Sequence, residues 1–169
     1  MEVMDAILKR RSIRQFKNTP VIHEKVEILL RAAMNAPSAK NFQSWHFVII
    51  EDENTLNKIP SVHPFAEMMN QAPLAILVCG DKSIEPSAEY NALNCAAATQ
   101  NILLAAFNLG LGSVWLGVYP KEERIKGIKK LLKLPDNVLP ISLIAIGYAN
   151  EEKPMVERFR PDRIHYNVW

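Results

Sequence analysis

Two groups of side chains in this chain have the types and spacing needed for chemistry. Lys9, Arg10, Arg11, Ser12, Ile13 and Arg14 stand near its start, and Arg158, Phe159 and Arg160 near its end. Guanidinium and hydroxyl groups at such spacing form several charge-assisted hydrogen bonds to one phosphate monoester, which a single exposed lysine cannot hold in place. The competing reading is a solvated basic face, the commoner fate of a lone basic run. A second segment shifts the balance: Ala36, Pro37, Ser38, Ala39, Lys40, Asn41, Phe42, Gln43, Ser44 and Trp45 offer small and amide-bearing side chains that suit a planar heterocycle. Phosphate and heterocycle together point to a mononucleotide cofactor.

Other chemistries lack their residues. Gly110, Leu111 and Gly112 begin like a dinucleotide fingerprint, but the third glycine is missing and the segment follows a helical pattern instead of a strand. Gly112 and Gly117 have P-loop spacing, yet Val118 and Tyr119 stand where lysine and serine or threonine would contact phosphate and magnesium. His23, His46, His63 and His165 show no HExxH or paired metal spacing, so no metal is expected and each reads as a surface or structural residue. A GxSxG elbow is absent, and the adjacent carboxylates Glu122, Glu123 and Glu151, Glu152 read as solvated positions. A site with cations, amides and glycine but no protein nucleophile needs a cofactor to supply reactivity.

The elements that must position these residues fit one domain spanning residues 1–169. Hydrophobic residues make up 49% and charged residues 22%, which excludes a disordered or collagen-like chain. A net charge of +2 gives no whole-molecule attraction to nucleic acid or an anionic membrane. Cys79 and Cys95 are too far apart in sequence for a redox or zinc pair and read as small buried hydrophobes. With no apolar leader after Met1, the expected location is cytoplasmic. The stretch 90–120 carries no charge, but Asn91, Asn94, Gln100, Asn101 and Asn108 interrupt it, so it reads as a buried helix and strand and not a membrane span.

Periodicity predicts helices over 4–9, 23–35, 53–59, 65–70, 87–109 and 121–132. Strands are predicted over 45–50, 74–79, 113–118 and 138–147. After Pro154 the chain turns polar and aromatic with no amphipathic face of its own, and is expected to lie across another surface, such as a neighbouring subunit. Strands alternating with helices, after two opening helices, imply an α/β sandwich of mixed sheet order, α+β in class.

Four patches in order resemble the nitroreductase family of FMN-dependent oxidoreductases: Arg10 to Arg14, Pro37 to Trp45, the helix and strand from Asn101 to Gly117, and Arg158 to Arg160. They frame nearly the whole chain. The resemblance implies a homodimer with a mixed, mostly antiparallel sheet flanked by helices, and FMN at the subunit interface. It implies that Arg10, Ser12, Arg158 and Arg160 hold the FMN phosphate, that Arg11 contributes through its backbone, and that Arg14 faces the pyrimidine edge of the flavin. Pro37, Ser38, Ala39, Asn41 and Gln43 would reach the flavin from the other subunit, while Leu116 and Gly117 would run beside the isoalloxazine. Trp45 and Trp115 read first as core aromatics, with Trp115 a second candidate for lining the pocket. Ser44 replaces the proline many members carry before the tryptophan, and 65–69 lacks the asparagine and lysine that larger members place against the flavin.

The implied activity is hydride transfer from NADH or NADPH to FMN and onward to a nitroaromatic, quinone or similar acceptor, with Arg14 and Gly117 as the residues nearest the chemistry. Reductive dehalogenation or flavin remodelling on the same scaffold is an alternative. From another class come a flavin carrier without turnover and a nucleic-acid-binding module using Lys9, Arg10, Arg11, Arg14 and Lys17. The near-neutral total charge counts against the last of these.

Overall fold

Apolar residues run almost unbroken through the two central strands because both faces of the sheet are covered. The computed structural model describes residues 2–169. Four strands, β1 (Trp45–Ile50), β2 (Leu74–Asp81), β3 (Gly112–Gly117) and β4 (Val138–Gly147), form one sheet in the order β1-β2-β4-β3. Every pairing between them is antiparallel. The parallel component expected of a mixed sheet is a single bridge, Ser12 to Ser113.

Alternation along β2 sorts the core into two layers. Leu74, Ile76 and Val78 pack with Ile144 and Ile146 against two helices, α2 (His23–Met34) and α4 (Ala88–Asn108), through Val26, Leu29, Cys95, Ala98 and Ile102. Ala75, Leu77 and Cys79 face the opposite layer, with Leu143, Ala145, Phe16, Ile59, Met69 and Ile128 of α5 (Glu122–Leu132). Both cysteines are fully buried, and burial pushes their thiols up, that of Cys95 to about 12.

The uncharged stretch is α4, whose polar side chains have internal partners. Asn91 donates to the Glu85 and Ser87 carbonyls at 2.6 and 3.0 Å, and accepts from the Ser44 hydroxyl at 2.8 Å. Ser87 caps the helix by accepting from the Tyr90 N–H. Among the described residues no helix is long and apolar enough to cross a membrane.

Two predicted helices are shorter than their periodicity implied. The 53–59 helix is only α3 (Glu53–Leu56), followed by a 3₁₀ turn at Ile59–Ser61 that carries Pro60 in its first turn. The 65–70 helix is a 3₁₀ turn at Glu67–Asn70. A first helix, α1 (Val3–Lys9), ends at the basic run, which is extended and lies along the outer edge of β3, where the Ile13 N–H donates to Ser113 O at 3.0 Å. Gly112 permits that approach: a Cβ there would sit 2.8 Å from Ile13 Cγ2. Beyond Glu151 every residue is exposed, and Phe159, Tyr166, Val168 and Trp169 turn large apolar surfaces outward.

Candidate functional site

The extended 10–16 segment is clasped by residues more than 130 positions away in the sequence. One oxygen of the Glu151 carboxylate accepts from the Arg14 and Gln15 N–H groups, and Lys153 Nζ donates to Ser12 O at 2.9 Å. The Asn150 N–H donates to Gln15 O at 2.9 Å, and the Lys17 N–H to Tyr148 O at 2.8 Å. Backbone donors and Lys153 hold the Glu151 carboxyl below the usual carboxylate range. Reading Glu151 as a solvated residue is therefore corrected: it is half-buried and fixes the backbone at Arg14.

Arg11 turns its guanidinium to the main chain, donating to Pro154 O at 3.0 Å, Leu8 O at 2.9 Å and Arg10 O at 2.7 Å. Arg10 remains half-buried, and burial together with the charges of Arg158 and Arg11 lowers its pKa. The Arg158 charge is thus near enough to be felt at Arg10, with no hydrogen bond between the two side chains among the described interactions. Among the described residues, none of Arg10, Arg14, Arg158 and Arg160 has an ion-pair partner. Arg160 is exposed at the start of a 3₁₀ turn (Pro161–Arg163), with no contact to Arg10 among the described interactions.

Two clefts flank this segment. One, of about 440 Å³, is lined by Arg10, Arg11, Gly112, Ser113, Glu151 and Lys153. The other, of about 430 Å³, is lined by Arg14, His63, Phe65, Trp115, Gly117 and Arg124 among others. Trp45 is buried in the core at 8% exposure, whereas Trp115 is 37% exposed, so its reading as a core aromatic gives way to the pocket-lining one.

Gly117 ends β3 with a doubly held carbonyl: His63 Nε2–H donates to it at 2.9 Å and Arg124 Nη1–H at 2.7 Å. His63 is buried, and its Nδ1 accepts from the Phe65 N–H at 3.3 Å, which assigns the proton to Nε2. Burial, with help from the Arg124 charge, lowers the His63 pKa against the opposing hydrogen bonds. The Arg124 guanidinium carbon also lies 5.2 Å from the Phe65 ring centroid. A Cβ built on Gly117 meets nothing within 4 Å. Leu116 beside it points inward and is 5% exposed.

The amide-bearing loop lines neither cleft. Pro37, Asn41 and Gln43 are exposed, and Ser38 and Ala39 are half-buried. Lys40, Asn41 and Gln43 adopt left-handed backbone at φ 53°, 57° and 49°. The turn is held by the Ala39 N–H donating to Asn94 Oδ1 at 2.9 Å, the Gln43 N–H to Ser38 Oγ at 3.0 Å and Gln43 Nε2 to Asn41 Oδ1 at 2.9 Å. The Asn94 Nδ2 group is buried without a partner.

Sequence reasoning read His63 only as a surface or structural residue and did not single out Arg124. Neither sits in a motif, although Arg124 falls in the first turn of an amphipathic helix close after Gly117, within reach of that carbonyl.

Comparison with known proteins agrees on one family. The model of the nitroreductase family matches residues 7–63 and 61–148. A Methanothermobacter thermautotrophicus protein named "Putative NADH dehydrogenase/NAD(P)H nitroreductase" is 46% identical over 169 residues, covering 100% of this chain and 88% of its own. A like-named crystal structure from Parabacteroides distasonis superposes with a TM-score of 0.95 at 40% identity, covering 99% of this chain and 98% of that one. An FMN-dependent nitroreductase from Clostridium difficile R20291 has a TM-score of 0.91 at 31% identity, covering 98% and 99% of the two chains. With a matched model spanning most of its length and a relative at this identity, the chain belongs to the nitroreductase family.

Proposed function

We propose that this protein is an FMN-dependent oxidoreductase that uses NADH or NADPH to reduce a nitroaromatic, quinone or similar acceptor. The observation that carries the reading is the arrangement along the β3 edge. Arg10, which feels the charge of Arg158, lies at one end of the extended segment, while Arg14 and Gly117 share a cleft at its other end. The residues fit FMN in two respects. Basic side chains without ion-pair partners match a phosphate monoester, and the space over Gly117, which a Cβ would enter without contact, admits a planar ring.

Arg10, Ser12, Arg158 and Arg160 would hold the phosphate, with Arg11 bracing the segment through the carbonyls it caps. FMN supplies the two-electron redox chemistry that no protein side chain here offers. Arg14 would offer a guanidinium to the negative charge that accumulates on the flavin when it is reduced, and the Glu151 clasp sets the backbone that carries it. Leu116 and Gly117 present main chain and open space to the ring, and the bonds from His63 and Arg124 fix the Gly117 peptide plane.

The assembly is a homodimer in this reading. Pro37, Ser38, Ala39, Asn41 and Gln43 line neither cleft of their own protomer, which supports their use across an interface. The exposed apolar tail supports the same assembly. Anaerobic addition of NADH to the purified protein should bleach a visible flavin band, and a quinone or nitroaromatic added afterwards should restore it. A band that NADH and NADPH both leave unchanged would refute the activity.

A further inference from the structure

We propose that Arg124 makes the cleft beside Gly117 selective for planar acceptors that carry a carboxylate or similar anionic substituent. This rests on the reading of that cleft as the place where the acceptor is reduced.

Arg124 is fixed on one edge and free on the other. One Nη1–H is bonded to Gly117 O and the guanidinium sits over the Phe65 ring, so its orientation is set before any ligand arrives. A guanidinium has five N–H donors. Among the described residues, the remaining donors of Arg124 have no acceptor. An anchored fork with a vacant edge matches a carboxylate in two-point contact.

The charges around it leave that edge available. Glu67 is the one carboxylate among the residues lining the cleft, against the guanidiniums of Arg14 and Arg124, and it pairs with neither. In a neighbouring recess that Arg124 also lines with Lys121, Glu122 and Glu123, neither carboxylate pairs with Arg124, and Glu122 is engaged by Lys126 at 3.2 Å. Phe65 at 65% exposure and Trp115 at 37% provide apolar faces for a ring beside the cation. An anion held at Arg124, away from the reacting group, would orient the acceptor with binding energy from a part of the molecule that does not react.

The same anionic chemistry could come from the phosphates of the dinucleotide donor, and the experiment separates the two sources. Titration calorimetry of the holoprotein would compare benzoate, benzamide and NAD⁺ against wild type, Arg124→Gln and Arg124→Lys. Glutamine keeps a donor for Gly117 O and lysine keeps the charge. Wild type should prefer benzoate over benzamide by about tenfold, the glutamine variant should lose that preference, and lysine should recover part of it.

Equal binding of benzoate and benzamide by wild type, or binding of neither, overturns the proposal, as does a preference that survives in Arg124→Gln. A loss of NAD⁺ affinity in Arg124→Gln as large as the loss for benzoate also overturns it, and assigns Arg124 to the donor. Benzoate selectivity in a protein that oxidises no NAD(P)H leaves the selectivity standing and removes the oxidoreductase reading instead.

Discussion

His63 Nε2–H donates to Gly117 O across 2.9 Å while Nδ1 of the same ring accepts the Phe65 N–H, so the contact requires a neutral imidazole. Burial lowers the native pKa below the ordinary 6.5. Above that value both native and unfolded chains carry neutral His63, and its contribution to stability is fully present. As pH falls below it, the unfolded chain takes up a proton that the native site resists, and stability declines by at most about 1.4 kcal/mol per pH unit. Chemical denaturation of wild type between pH 5 and pH 7 should show this loss, and His63→Gln should flatten it. A variant with the wild-type slope would remove His63 as its source.

Gly117→Ala separates the needs of the fold from those of the site. The added methyl meets no protein atom within 4 Å, and the backbone there is not left-handed, so the melting temperature should stay within about 2 °C of wild type. The methyl would occupy the space proposed for the flavin, and FMN affinity or its reduction rate should fall by roughly tenfold or more. Unchanged flavin binding and reduction in a stable variant would place the ring elsewhere.

Glu151 should matter more than its polar neighbourhood in the sequence suggests. Glu151→Ala leaves the Arg14 and Gln15 N–H groups without their acceptor and frees Lys153 from its ion pair. The expected cost is about 1 kcal/mol of stability, with slower flavin reduction as the Arg14 backbone loosens. Denaturant unfolding and stopped-flow reduction would measure the two effects, and a variant equal to wild type in both would show the clasp to be incidental.

Two strands were legible to the residue, β1 at Trp45–Ile50 and β4 at Val138–Gly147, whereas β2 runs past its apolar stretch to Asp81 and β3 spans Gly112–Gly117, one residue earlier than its pattern implied. Helix 53–59 broke because Pro60 starts a new turn, and local periodicity cannot weigh that against tertiary packing. Within the site, the basic and amide clusters announced themselves through residue types. Glu151 did not, because its partners lie 137 and 136 residues away and are backbone groups. The place of His63 and Arg124 at the site became visible only when Gly117 O showed which groups point at it. Trp115 illustrates the same limit, since strand alternation alone does not say which face of an edge strand stays open.

Arg14 and Arg160 should fail in different ways. Arg14→Ala removes the cation beside Gly117 and should slow flavin reduction more than it weakens FMN retention. Arg160→Ala should do the reverse, because its proposed partner is the phosphate. Stopped-flow rates and FMN titrations on both variants check this, and equal effects in each would break the division of roles.

Equilibrium uptake of FMN by apoprotein decides whether the two ends of the chain together hold the cofactor. Wild type should turn yellow and bind one FMN per protomer, with affinity falling by roughly 10- to 100-fold in Arg10→Ala, the loss of a charge-assisted phosphate contact. Apoprotein that stays colourless at saturating FMN, or an Arg10→Ala variant that binds as tightly as wild type, would contradict it.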